Sequence, residues 1–185
     1  MVQDVMQDAE HRMGSALKSL EEDLAAIRTG RASPVLVEKL PVSYYGTATP
    51  LVQLATIAAP EPRLLTIRPF DPASLKDIEK AILASQLGLT PSNDGKIIRL
   101  SIPQLTEERR RELVKVVHHR MEEARVAVRN VRRDSIDDLR EFEKEELISE
   151  DDLHRGQDEL QKLTDKHIEK IEEIGQRKEK EIAEV

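Results

Sequence analysis

The chain has no cysteine and no tryptophan, and only four aromatic residues among 185: Tyr44, Tyr45, Phe70 and Phe142. Without cysteine there is no disulfide, no thiolate nucleophile and no thiolate metal site, and a reducing compartment is compatible. With so few rings, a stacking surface for single-stranded bases is not expected. No apolar run approaches the roughly 20 residues needed to span a membrane. The acidic start, Met1-Val2-Gln3-Asp4, has neither the apolar core of a secretory signal nor the arginines of a transit peptide, so a cytoplasmic protein is expected.

Proline is also missing from most of the chain. All nine prolines lie between Pro34 and Pro103. A proline inside a helix costs roughly 3 kcal/mol, because it removes a hydrogen bond and clashes with the preceding turn. The two proline-free flanks therefore read as long helices around a centre of another kind.

In the first flank Met6, Met13, Leu20 and Ile27 recur every seven residues, with Leu17 and Leu24 alongside. This predicts one amphipathic helix, ending near Gly30. In the centre, Val35 to Tyr45, Leu51 to Ile57, Leu64 to Arg68 and Lys96 to Ile102 read as short strands. Between the last two, Asp71 is an expected N-cap and Pro72 an expected first helical residue. Leu75, Ile78 and Ile82 give that helix its apolar face, Gly88 closes it, and Asn93-Asp94-Gly95 reads as a turn.

The second flank opens near Thr106, with Arg109 where a capping-box glutamate would sit. Leu113, Val117, Met121, Ala124, Val128, Val131, Ser135, Leu139 and Phe142 carry one stripe. Ser149 with Asp152 predicts a fresh N-cap, followed by a stripe through Leu153, Leu160, Leu163, His167, Ile171, Ile174 and Ile182. The expected fold is α+β. A three-helix bundle spans residues 1–30 and 105–185, and a small β/α/β domain, 31–104, is inserted after the first helix. Gly30, Arg31 and Leu105 mark the crossings and are the hinge candidates.

The net charge of −7 is unevenly spread. Residues 109–133 hold 9 basic and 3 acidic groups, whereas residues 134–185 hold 9 basic and 19 acidic. Arg111, Lys115, His118, Arg125, Arg129 and Arg132 fall on one side of the second long helix, flanked by Arg109, Arg110 and Arg133. Most of these cations lack an acidic neighbour four residues away; Glu122 beside Arg125 offsets this once. A solvated, salt-bridged helix face is the plainer reading. Arginine richness, the contrast with the acidic stretch that follows and the regular spacing along a rod favour phosphate contacts. Shape and backbone recognition of folded RNA fits better than base readout.

Enzyme signatures are poor, and no catalytic residue, metal ligand or cofactor is assigned. Gly88 to Lys96 superficially resembles a phosphate loop, but it has six intervening residues and Ile97 where Ser or Thr is needed. His118 and His119 are adjacent and so point to different helix faces. His167, on the apolar stripe, reads as a core residue.

Several motifs together carry a family resemblance: Arg28-Thr29-Gly30-Arg31-Ala32-Ser33-Pro34, Tyr44-Tyr45-Gly46, Ser92-Asn93-Asp94-Gly95 and Val128-Arg129-Asn130-Val131-Arg132-Arg133-Asp134. The chain closely resembles the bacterial ribosome recycling factors over its whole length. The resemblance implies an L-shaped, two-domain, monomeric protein that binds the large ribosomal subunit and its RNA after termination. It also implies that elongation factor G with GTP then drives subunit separation, the factor itself not being an enzyme. The RNA contacts it implies map to Arg129, Arg132 and Arg133 and to Arg28 and Arg31; Arg110 and Arg125 of the basic stretch complete the candidate set. A helical scaffold or adaptor without RNA binding is the alternative from another class.

Overall fold

In the computed structural model, which describes residues 1–184, helix α1 runs over Val2–Ala25 and buries Ala9, Met13, Leu17, Leu20 and Leu24. It stops five residues before Gly30. The last turn tightens, with Ile27 N–H bonded to the Leu24 carbonyl at 3.1 Å, and the chain then leaves the helix. Gly30 lies beyond it, in the left-handed region at φ 77°.

Two long helices complete this unit: α3, Glu107–Lys144, and α4, Glu150–Ala183. The full capping box forms at the start of α4. Asp152 N–H donates to the Ser149 hydroxyl at 3.0 Å, and the Asp152 carboxylate accepts from the Ser149 N–H. Helix α3 ends in a Schellman motif. Leu147 N–H reaches the Phe142 carbonyl at 2.8 Å and Glu146 N–H the Glu143 carbonyl at 3.0 Å. The residue between helix and exit is Glu146, at φ 59° where glycine is the usual choice. Where α3 packs on α4, Gly175 makes room for Met121. A Cβ there would lie 2.1 Å from the Met121 sulfur. Met121 Sδ occupies that space, and His167 is buried with its Nδ1 2.8 Å from the Leu163 carbonyl.

The described chain divides into this bundle, Met1–Arg28 with Glu107–Glu184, and a second unit, Thr29–Thr106. Strands β1, Pro41–Tyr44, and β2, Thr47–Pro50, form an antiparallel hairpin. Its two-residue turn places both Tyr45 (φ 47°) and Gly46 (φ 79°) in the left-handed region, as a type I′ turn requires. Strands β3, Ala55–Glu61, β4, Leu64–Pro69, β5, Pro91–Asn93, and β6, Ile98–Ser101, make an antiparallel sheet in the order β3-β4-β6-β5. Helix α2, Leu75–Ala84, packs its Leu75, Ile78 and Ile82 into the same core as Leu65, Ile67, Ile98 and Leu100.

Here the structure departs from two expected strands. Residues Pro34–Leu36 and Leu51–Gln53 are 3-10 turns, and only Pro41–Tyr44 and the chain from Ala55 extend. The second turn bonds to the segment that follows the first: Leu51 N–H to the Leu40 carbonyl at 2.9 Å and Val52 N–H to the Glu38 carbonyl at 3.0 Å. Asp71 caps a 3-10 turn, Pro72–Ser74, that leads into α2, and its Oδ1 accepts from Ala73 N–H at 3.0 Å. Helix α2 ends at Ala84 rather than at Gly88, where the Ser85 hydroxyl takes the Ile82 carbonyl at 2.6 Å.

Candidate nucleic-acid interface

The apolar stripe of α3 sets the direction of every cation on it. Leu113, Val117, Met121, Ala124, Val128, Val131, Ser135 and Leu139 are buried. His118, Arg125 and Arg132, seven residues apart, lie on one line along the helix, and their contacts place that line on the flank that meets α4. His118 Nε2 bonds Glu179, and Arg125 bonds Glu172 through Nε at 2.9 Å and through Nη2. Arg132 Nη1 donates to Gln161 Oε1 at 3.1 Å, and Gln161 Nε2 donates to Asp165 at 2.9 Å. His118, Arg125 and Arg132 climb by seven residues while positions 179, 172 and 165 descend by seven. The result is an antiparallel ladder. Burial works to lower the Arg125 pKa, but the hydrogen bonds its guanidinium donates to Glu172 and Glu122 outweigh it and hold it above its ordinary value.

Farther round the helix, Arg111, Lys115, Arg129 and Arg133 face away from the core. Arg129 reaches Glu122 at 3.7 Å. Arg111, Lys115 and Arg133 make no ion pair among the described residues, and neither do Arg28 and Arg31; Arg28, Arg31, Arg111, Lys115 and Arg133 are exposed.

The expectation of mostly unpaired cations is corrected. Pairing runs through neighbours three residues away: Arg109 with Glu112, Arg110 with Glu107, Arg120 with Glu123, Arg125 with Glu122. Arg111 and Arg133, which do have an acid four residues away, make no ion pair among the described residues, while Glu107 is paired with Arg110 and Asp137 with Arg140.

Arg110 stands apart from the outward group. It lies in the first turn of α3 toward the core side, mostly buried, with Nη1 3.4 Å from Glu107 and a buried Nε that has no hydrogen-bond partner. Arg110 and Arg133 are separated by 23 positions, about 35 Å along a helix. Arg12 of α1 binds Asp134 at 2.7 Å, and Arg120 senses the charge of Asp23, so α1 and α3 run antiparallel. Arg28 therefore belongs to the α3 N-terminal end of the bundle. Gly30, Arg31 and Leu105 belong to the other unit. Within the bundle the cations make an extended strip, not a pocket, a shape suited to successive phosphates.

Sequence reasoning missed the partners on α4: Gln161, Asp165, Glu172 and Glu179. A signal was present, since Asp165, Glu172 and Glu179 repeat with the same seven-residue period as His118, Arg125 and Arg132.

Comparison with known proteins accounts for the whole chain. The family model described as ribosome recycling factor matches residues 20–183. The ribosome-recycling factor of Natranaerobius thermophilus is 58% identical over 178 residues, covering 96% of this chain and 97% of its own. That of Syntrophomonas wolfei subsp. wolfei is 58% identical over 185 residues, covering 100% of both. Among solved structures, a solution structure of the ribosome recycling factor superposes with a TM-score of 0.72 at 45% identity, covering 100% of this chain and 98% of that one. A second match has a TM-score of 0.62 at 46% identity, covering 98% of each chain. It comes from models for the T. thermophilus ribosome recycling factor and the E. coli elongation factor G bound to the E. coli post-termination complex. The chain belongs to the ribosome recycling factor family.

Proposed function

We propose that this protein recycles ribosomes in the cytoplasm. It binds the post-termination ribosome through the large subunit and, with elongation factor G and GTP, promotes separation of the subunits. The observation that carries this reading is the end-to-end match to curated recycling factors at 58% identity. The factor performs no bond chemistry of its own; GTP is turned over by its partner.

In this mechanism the cationic strip of α3 holds the bundle on ribosomal RNA. Arg129 and Arg133 contact phosphates from the outward face, with Arg28, Arg31 and Arg110 extending the footprint. Arg125 and Arg132 act from the flank, where each is also tied to α4. The unit spanning Thr29–Thr106 turns about Gly30-Arg31 and Leu105 when the translocase pushes it.

The test is binding to purified large subunits over a salt series. An Arg129→Ala/Arg132→Ala variant is expected to bind about 100-fold more weakly, each lost charge-assisted bond contributing about 1–3 kcal/mol, with a salt slope shallower by about 2. Unchanged affinity and slope would remove the strip from the mechanism. A crosslink between the two units is expected to leave binding intact and stop splitting; full splitting would remove the hinge.

A further inference from the structure

Two of the four aromatic residues of this chain, Tyr44 and Tyr45, converge on one carboxylate, Asp71, in the unit that lacks the arginine strip. Tyr45 sits at the tip of the β1–β2 hairpin and is 81% exposed. Its left-handed backbone turns the ring outward, a conformation that costs a bulky residue energy and that Asn or Gly would adopt freely. Tyr44 braces it edge-on, the ring centroids 4.6 Å apart at 73°. Both phenols donate to the same oxygen, Asp71 Oδ2, each at 3.4 Å. Phe70, the residue before Asp71, is 67% exposed.

Asp71 is short of donors. Its Oδ1 is taken by the Ala73 N–H, but Oδ2 has only the two long phenol contacts, and no cation pairs with it among the described residues. A good O–H to carboxylate bond is some 0.7 Å shorter. The electron-rich face of an exposed tyrosine and an unpaired carboxylate beside it attract the same kind of group.

We propose that Tyr45, Tyr44 and Asp71 form a receptor for a cationic side chain, arginine above all, presented by a protein partner. The guanidinium would lie over the Tyr45 ring and donate to Asp71 Oδ2, replacing the long phenol contacts. Nucleic acid is the poorer occupant, because a phosphate would be set against the carboxylate.

The molecule supplies its own reporter. With no tryptophan and with Tyr44 and Tyr45 the only tyrosines, intrinsic fluorescence reads this site alone. The probe is a short blocked peptide of alternating glycine and arginine, titrated into the full chain. The controls are the same peptide with citrulline and an oligoadenylate. A saturable change in tyrosine emission with the arginine peptide only is expected.

Asp71→Asn keeps the cap on Ala73, since Asn serves as well as Asp there, and is expected to weaken binding about tenfold. Tyr45→Asn removes the ring at a backbone conformation Asn tolerates and is expected to do the same, read by amide shifts around residue 71. Tyr45→Phe retains the ring and most of the affinity. Equal binding by the citrulline peptide, or by either Asn variant, overturns the proposal. A response to oligoadenylate with none to arginine also overturns it, in favour of a base-stacking surface.

Discussion

The two units are held by different means. Among the described residues the inserted unit contains one ion pair, Arg99 with Asp94, and the bundle contains all the others. The inserted unit instead closes its turns with carboxylates that accept backbone N–H groups, Asp71 at one and Asp94 at another. Its apolar core joins α2 to β4 and β6. The bundle repeats one seam over tens of residues, so most of its single contacts count for little on their own. The inserted unit has no repeat, so each core residue and each turn counts for more. Exposed ion pairs contribute only about 0–1 kcal/mol each, so their abundance in the bundle sets alignment more than stability.

The sharpest way to break the contrast is Leu100→Ala. Leu100 is fully buried, and its loss is expected to cost the inserted unit about 3 kcal/mol. Hydrogen exchange should quicken in β4 and β6 while α3 and α4 stay protected. Equal loosening of both units would mean that they unfold as one.

Next is Gly175→Ala, where the bundle does depend on one position. Met121 would have to vacate its place, at about 2 kcal/mol by urea denaturation. Adding Met121→Ala should cost less in that background than in the wild type, the mark of two residues sharing one space.

Glu146→Gly is expected to raise bundle stability by about 1 kcal/mol, because glycine takes the left-handed exit of α3 without a Cβ clash.

The smallest effect separates the units by pH. Backbone N–H groups of Ile97 and Lys96, then Arg99, hold Asp94 at about 2 against an ordinary 3.8. The folded state thus keeps this charge after the unfolded chain has lost it. The contribution is complete above about pH 4 and disappears as pH falls through about 2. The urea midpoint of the inserted unit in Asp94→Asn, compared with wild type, should converge on it in acid and fall below it near neutrality.

Much of the bundle was legible because its period is long. Thirty-odd residues of stripe leave little choice of face, and Ser149 with Asp152 marked a helix start to the residue. The inserted unit resisted for the opposite reason. Thr47–Pro50 offers almost no apolar alternation, and Pro91–Asn93 is three residues long with proline at its edge. Around Leu51, apolar residues that suit a strand are held in a 3-10 turn by the Leu40 and Glu38 carbonyls, contacts no local pattern announces, and around Val35 the turn closes on the Ser33 and Pro34 carbonyls. In the candidate site the arginines were visible and their division was not. Whether Arg132 or Arg133 meets α4 depends on which neighbour helix covers which flank. Conversely, neither the convergence of Tyr44 and Tyr45 on Asp71 nor the strain at Tyr45 could be read from residues 26 positions apart.

The seven-residue ladder between α3 and α4 also acts as a ratchet. Moving α4 along its axis by a single helical turn would disengage Glu179, Glu172 and Gln161 together, leaving no graded slide between registers. A slide of three residues would set Glu169 against Arg125 and Asp158 against Arg132, whereas a full heptad, about 10 Å, is what brings the seven-residue pattern back as a whole. The register of α3 against α4 is therefore a property of the seam as a whole, shared by rungs far apart along the two helices.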